Sequence, residues 1–290
     1  MINPEAIAKS VNNLYSLPAV VMRINELLAN PNSSSLDFER IIINDPGLTL
    51  KVLKFVNSAY FGYPQKIDTL SQAITLIGLE ELRNLVLATS ITAVFRGIPE
   101  EYIDMQSFWF HSITCGVLSR TLAKKCKIPK LETFFIMGLL HCIGKLVLIS
   151  QFPEQYLPIV KAVENDEITV LETEYNIFGF SHPLLTAELL KYWQIPVRIW
   201  QVILYQYKPL DALEYQQDAC ILHVAAIIAS AIEPYAKVDP NIQMVQQILN
   251  DSPILLLNLD EQEIQDLVFD TTLQTMSILD IIVPGSNLIY

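Results

Sequence analysis

Four histidines are the residues of this chain best suited to chemistry: His111 in WFHS, His141 in GLLHCIGK, His182 in EYNIFGFSHP and His223 in ILHVAAIIA. Neutral imidazoles bind divalent metals and carry protons near neutral pH. Cys142 and Lys145 set a thiol and a cation close behind His141 in sequence. A histidine inside an apolar helical run is more often a hydrogen-bonded core residue than a ligand, so histidines alone assign no site. Cys142 as a nucleophile would need an orienting third group, and none is visible. Its neighbour His141 is not expected to face it, because adjacent residues on a helix point apart. A Cys–His enzyme is therefore not expected.

The histidines sit in a longer series of segments. These are NDPGLTLKVLKFVNSAYFG at 44–62, LSQAITLIGLEELRNLVL at 70–87, WFHS at 109–112 and GLLHCIGKLVL at 138–148. Glu174 with Gly179 and His182, WQIP at 193–196 and ILYQYKP at 203–209 follow. GLLHCIGK resembles GLLHDIGK of the HD superfamily, whose adjacent His and Asp bind metal in phosphohydrolases. The ordered set, over about residues 14–235, resembles the bacterial HDOD family, which is associated with signalling. The resemblance implies an all-α fold in which an HD-like helical core is preceded by an N-terminal helical lobe.

Departures from the pattern decide the functional expectation. Cys142 stands where the doublet Asp belongs, Gln206 and Tyr207 where a histidine pair is usual, and Ala226 where the closing Asp aligns. His111, His141 and His182 remain, with Lys145, which in HD enzymes helps to receive phosphate and which could equally extend to the surface. Three imidazoles can hold zinc, but magnesium and manganese need carboxylates, and none is left at the matched positions. An ionised Asp without its cation costs several kcal/mol in a dry site, whereas a neutral Cys packs there as a small apolar residue. The vestigial site (His111, His141, Cys142, Lys145, His182, Gln206, Tyr207 and Ala226) is thus expected to hold no metal and no cofactor and to have become core. The resulting expectation is a non-enzymatic signalling module that binds other signalling proteins. The alternatives are a metal-dependent phosphohydrolase using His111, His141 and His182, and a sensor of a small nucleotide ligand in the old pocket.

The elements that must position these residues read as helices. The chain has 290 residues, 51% of them hydrophobic and 17% charged, with a net charge of −12. That composition is the opposite of a disordered chain, and the negative charge disfavours nucleic acid and anionic membranes as partners. Pro18 opens an apolar-faced segment, Thr69 and Gln72 have capping-box spacing, Gly78 breaks the run, and Asp260 and Glu263 can cap a last helix. No period-two run appears, and there is no repeat or low-complexity tract. Proline-marked joints at 97–106 and 234–241 divide the chain into an N-terminal helical lobe (1–100), an HD-like core (101–235) and a C-terminal appendage (236–290).

Residues 70–87 superficially resemble a helix-turn-helix, but Glu80 and Glu81 would head the helix facing DNA phosphates, so two packed helices are expected. NSAYFG suits a buried turn as well as a functional loop. The apolar stretches at 133–149 and 219–232 contain His141, Lys145 and His223 and read as core helices rather than membrane spans. Four cysteines without CxxC spacing, and an opening MINPEAIAKS without the pattern of a secretion signal, point to the cytoplasm.

Overall fold

The computed structural model describes residues 3–11, 15–162, 167–232, 257 and 261–285. Among them there is no strand, and the chain is all-α. In order, the helices are α1 (Pro4–Val11), α2 (Ala19–Ala29), α3 (Ser35–Ile43), α4 (Pro46–Val56), α5 (Leu70–Ile77) and α6 (Leu79–Val94). Then come α7 (Met105–Lys125), α8 (Leu131–Leu140), α9 (Ile143–Gln151), α10 (Pro153–Ala162), α11 (Glu167–Phe178) and α12 (His182–Tyr192). α13 (Val197–Leu204), α14 (Gln216–Ala231) and α15 (Glu261–Ile282) complete the set.

Local chemistry sets many boundaries. Asp45 caps α4, its carboxylate accepting from Leu48 N at 2.9 Å, and Pro46 occupies the first turn, where its missing N–H costs nothing. Thr69 and Gln72 form the expected capping box at α5, with bonds of 3.2 and 3.3 Å. Gly78, at φ +82°, turns the chain from α5 into α6, so 70–87 is a helix pair. The joint at 97–106 falls between α6 and α7, with Asp104 capping α7. The second joint, at 234–241, and Asp260 lie outside the described residues.

Around the buried α7 pack α8, α14 and α15, and α8 also meets α6 of the N-terminal lobe. The α7–α8 crossing is close because two glycines face each other. A Cβ on Gly138 would lie 2.4 Å from Gly116 N, and one on Gly116 would lie 2.8 Å from the Phe135 ring. One hydrophobic cluster runs through both lobes. α1, although it precedes the N-terminal lobe in sequence, packs on α12 of the central one. Next to it the Trp193 indole donates to Tyr15 O at 2.9 Å. Leu131–Gln151 is the one described stretch long and apolar enough to cross a membrane, and most of it is buried inside the fold.

NSAYFG is a structural turn anchored by the buried Tyr60. The Asn57 side chain bonds both N and O of Ile67 at 2.8 and 2.7 Å, closing the loop on itself. The Tyr60 hydroxyl donates to Glu132 on α8, while the Arg120 guanidinium of α7 lies 4.2 Å above the Tyr60 ring and bonds Glu132 at 2.8 Å. Burial pushes the Glu132 carboxyl up, against the pull of Arg120.

Candidate functional site

His111 projects from the middle of α7, and His141 and Cys142 form the joint between α8 and α9. His141 Nδ1 lies 2.6 Å from Gly138 O, a hydrogen bond in which the ring nitrogen must be the donor. The neutral ring therefore keeps its lone pair on Nε2, which faces His111 Nε2 at 3.3 Å. Burial opposes a charge on His141, but the Cys115 thiol and its hydrogen bond, with the Gly138 carbonyl, outweigh it and raise the ring's pKa. Gln206 donates to His141 O at 3.0 Å, accepts from His223 Nδ1 on its own carbonyl at 2.8 Å, and keeps its side-chain oxygen buried without a hydrogen-bond partner.

Cys142 is buried in the hydrophobic core, and its thiol also has polar neighbours. Its Sγ lies 3.7 Å from Ser112 Oγ and 3.8 Å from His141 Nδ1. The expectation that the ring would point away from the thiol fails because these two residues are not on a regular helix. Cys142 has φ −119° and ψ 15°, which breaks the helical stagger between neighbours. His141 Nδ1 is already committed to Gly138 O, so its approach to the thiol does not create a general base.

His182 is held elsewhere. Its backbone N and its Nδ1 both donate to Glu174 Oε2, at 2.7 and 2.9 Å, and the Tyr156 hydroxyl donates to Glu174 Oε1 at 2.6 Å. His182 Nε2 stands 3.5 Å from the Tyr207 hydroxyl. Burial works against the Glu174 charge, but His182 and the three donated hydrogen bonds prevail and hold the carboxyl below its usual range. α12 approaches α9 closely at this point. Gly144 N donates to Thr186 Oγ1 at 2.9 Å, and a Cβ on Gly144 would lie 2.4 Å from His182 O.

Among the described residues, the histidines, cysteines and acids able to share one ion are His111, His141 and Cys142, with one ligand atom from each inside 4.8 Å. His182 is not in that set, so the sequence-derived triad of His111, His141 and His182 is not assembled. Lys145 is half-buried in the first turn of α9, and Ala226 is half-buried on α14, one turn beyond His223. The divalent hard cations of HD phosphohydrolases do not fit this donor set, because two imidazoles and a thiol supply no carboxylate oxygen. Sequence reasoning gave Glu174 no role in the site and missed Ser112 and Cys115. Glu174 was findable from its place eight residues before His182 across the Gly179 turn. Ser112 and Cys115 needed the helix register of α7 against α8.

Fold and site together define an all-helical domain with a His111–His141–Cys142 cluster at the junction of α7, α8 and α9. A family model described as the HDOD domain matches residues 14–209, and the chain belongs to the HDOD domain family. Ala226 lies beyond that match.

Among solved structures, a Shewanella amazonensis SB2B protein named as a candidate phosphohydrolase is similar with a TM-score of 0.75 and 22% identity, covering 96% of this chain and 98% of that one. An HDOD domain protein of unknown function from Geobacter sulfurreducens gives 0.70 and 20%, covering 95% and 97%. At such identities the likeness speaks for the fold. An uncharacterized protein of Treponema pallidum (strain Nichols) is 28% identical over 217 residues, which is 71% of this chain and 41% of that protein. The chain thus spans about two fifths of the length of this curated relative.

Proposed function

We propose that this chain is a non-enzymatic HDOD signalling module that works by binding a partner protein. What carries the reading is the make-up of the old metal site: a thiol stands in place of the acid, and the His111–His141–Cys142 cluster includes no carboxylate. Hydrolysis of a phosphoester on this scaffold needs cations that these residues do not suit, together with a poised water. Exposed Leu36, Ile43, Leu50 and Leu76 on helices of the N-terminal lobe are consistent with docking. The relative from Marinobacter aquaeolei VT8, named for signal transduction, shares the fold at a TM-score of 0.64 and 20% identity.

The test pairs two measurements. Turnover of nucleotide and cyclic-dinucleotide phosphoesters in manganese- or magnesium-replete buffer is expected to stay at the level of a Cys142→Ala control. Crosslinking in the native host is expected to recover a defined signalling partner, with recovery reduced at least fivefold by Leu50→Glu with Leu76→Glu. Robust turnover, or crosslinking indifferent to these substitutions, would overturn the reading.

One observation favours a second reading, the small-ligand sensor. A cleft of about 990 Å³ opens beside His182, lined by Tyr175, Tyr205, Tyr207, Lys208, Glu172 and Asp211. Aromatic faces and charges of both signs of this kind suit a planar heterocycle. Nucleotides at about 100 times their dissociation constant would add about 2.7 kcal/mol of stability, which thermal unfolding would detect.

A further inference from the structure

α15 has two apolar faces on opposite sides. Its inner side, with Leu267, Ile278 and Ile282 buried, lies against α7, α4 and α6. At about 100° per residue, Phe269 and Leu273 fall on the side away from these, and they are 69% and 59% exposed. Gln262, Asp266, Phe269, Leu273, Met276 and Asp280 succeed one another at alternating four- and three-residue steps, the spacing at which one helix receives another. Met276 is half-buried and the other five are exposed. A single exposed apolar residue is ordinary on a protein surface, but two of them a turn apart at the centre of such a row form a patch. A helix with apolar residues on opposite faces suits packing between two bodies, and the chain supplies one of them.

Charge sets the chemistry of the other body. α15 contains acids but neither Lys nor Arg. Glu263 is paired with Lys125, whereas Asp266 and Asp270, exposed beside Phe269 and Leu273, have no ion pair among the described residues. Asp266 accepts a hydrogen bond from Gln262 on the same helix at 3.0 Å. A second copy meeting this face would set acid against acid, and nucleic acid and anionic lipid would be repelled in the same way. A helix that carries an apolar strip between Lys or Arg side chains meets both requirements of the face.

We propose that the outer face of α15 docks a basic amphipathic helix of a partner protein. Phe269 and Leu273 are its apolar anchors, and Asp266 and Asp270 pair with the Lys or Arg side chains that flank the partner's apolar strip. The inference rests on the partner-binding reading and names the chemistry of the partner. Because α15 packs on α4 and α6 as well as on α7, a helix docked on it acts on both lobes.

Fluorescence anisotropy with the full-length chain tests it. The probe is a labelled synthetic helix of about three heptads, with leucine on its inner positions and lysine on the flanking ones, measured beside the same peptide with glutamate for lysine. The lysine peptide is expected to bind saturably and the glutamate peptide not to. Phe269→Glu with Leu273→Glu is expected to weaken lysine-peptide binding at least tenfold, and Asp266→Lys with Asp270→Lys to reverse the preference between the two peptides. Glu100→Gln with Glu101→Gln, which removes two exposed acids before α7, is expected to change neither. Should the Phe269–Leu273 variant fail to fold, the charge reversal decides alone. Absent or equal binding of the two peptides, or lysine-peptide binding that survives Phe269→Glu with Leu273→Glu, overturns the inference. Self-association of the chain that this same variant abolishes would assign the face to a second copy and overturn it too. If Leu50→Glu with Leu76→Glu removes peptide binding while the α15 variant keeps it, the docking face is wrong and the partner-binding reading stands; that reading itself fails on turnover or on indifferent crosslinking.

Discussion

The buried Glu174–His182 pair sets an acid among hydrogen-bond donors inside the core. Glu174 and the His182 side chain are fully buried, and the carboxylate accepts three hydrogen bonds, from His182 N, His182 Nδ1 and the Tyr156 hydroxyl. Burial disfavours the charge, but His182 and these donors favour it more, and the folded carboxyl titrates below its ordinary value of 4.5. For an acid depressed in this way, the unfolded chain binds the extra proton, so stability is retained above the unfolded pKa and lost as pH falls through the folded one. Urea midpoints are therefore expected to decline as pH drops below about 4.5, and Glu174→Gln to remove much of that decline while lowering the midpoint at neutral pH. An unchanged acid limb in Glu174→Gln would show that the carboxylate is not the titrating group. At this scale the sequence was legible in its residue types: His111, His141, Cys142 and His182 all fall in or beside the pocket. It was not legible in their partners, because the 141–142 backbone joint, which turns the thiol toward the ring, has neither proline nor glycine at the break to announce it.

Helix boundaries and helix contacts were legible to different degrees. Thr69–Gln72, Gly78 and Asp45–Pro46 act through neighbouring backbone groups, and such short-range chemistry is written locally. The Gly116–Gly138 contact between α7 and α8 joins positions 22 residues apart in sequence and carries no local mark. Gly138→Ala would press a methyl group into backbone atoms at 2.4 Å and is expected to destabilise by about 2–3 kcal/mol or more, read from chemical unfolding.

At the neighbouring α6–α8 contact, Asn84 bonds Glu81 at 3.2 Å and lies within 3.4 Å of Thr133. Burial, then the Glu132 carboxylate, push Glu81 up to about 7 from 4.5. Here the folded state holds the extra proton, so stability falls as pH rises from about 4.5 to about 7. Glu81→Gln is expected to flatten that slope and to add on the order of 1 kcal/mol above pH 7, after allowing for solvent screening of a half-buried group. A pH–stability curve identical to wild type would place Glu81 in solvent.

The core is continuous, α1 returns to α12, and the Tyr60–Glu132–Arg120 cluster joins the loop after α4 to α7 and α8. The last helix is part of the same body. α15 lies against α7 of the central lobe and against α4 and α6 of the N-terminal lobe, with Lys125 paired to Glu263 at 3.2 Å and Thr92 donating to Ile282 O at 3.0 Å. Its inner face buries Leu267, Ile278, Leu279 and Ile282. A helix that spans the seam couples the two lobes, because loosening it exposes apolar surface on both.

Ile278→Ala removes a side chain with no solvent exposure, and the lost transfer energy plus the residual cavity set an expected cost of about 2–4 kcal/mol. The coupling itself is read by two probes during one denaturation. Fluorescence of the buried Trp109 follows the central lobe, and hydrogen exchange of α4 amides follows the N-terminal lobe. Both are expected to shift together in Ile278→Ala, since the seam belongs to neither lobe alone. A shift in Trp109 unfolding with α4 exchange unchanged would mean that α15 stabilises only the central lobe, and the molecule would then be two cooperative units joined at α7.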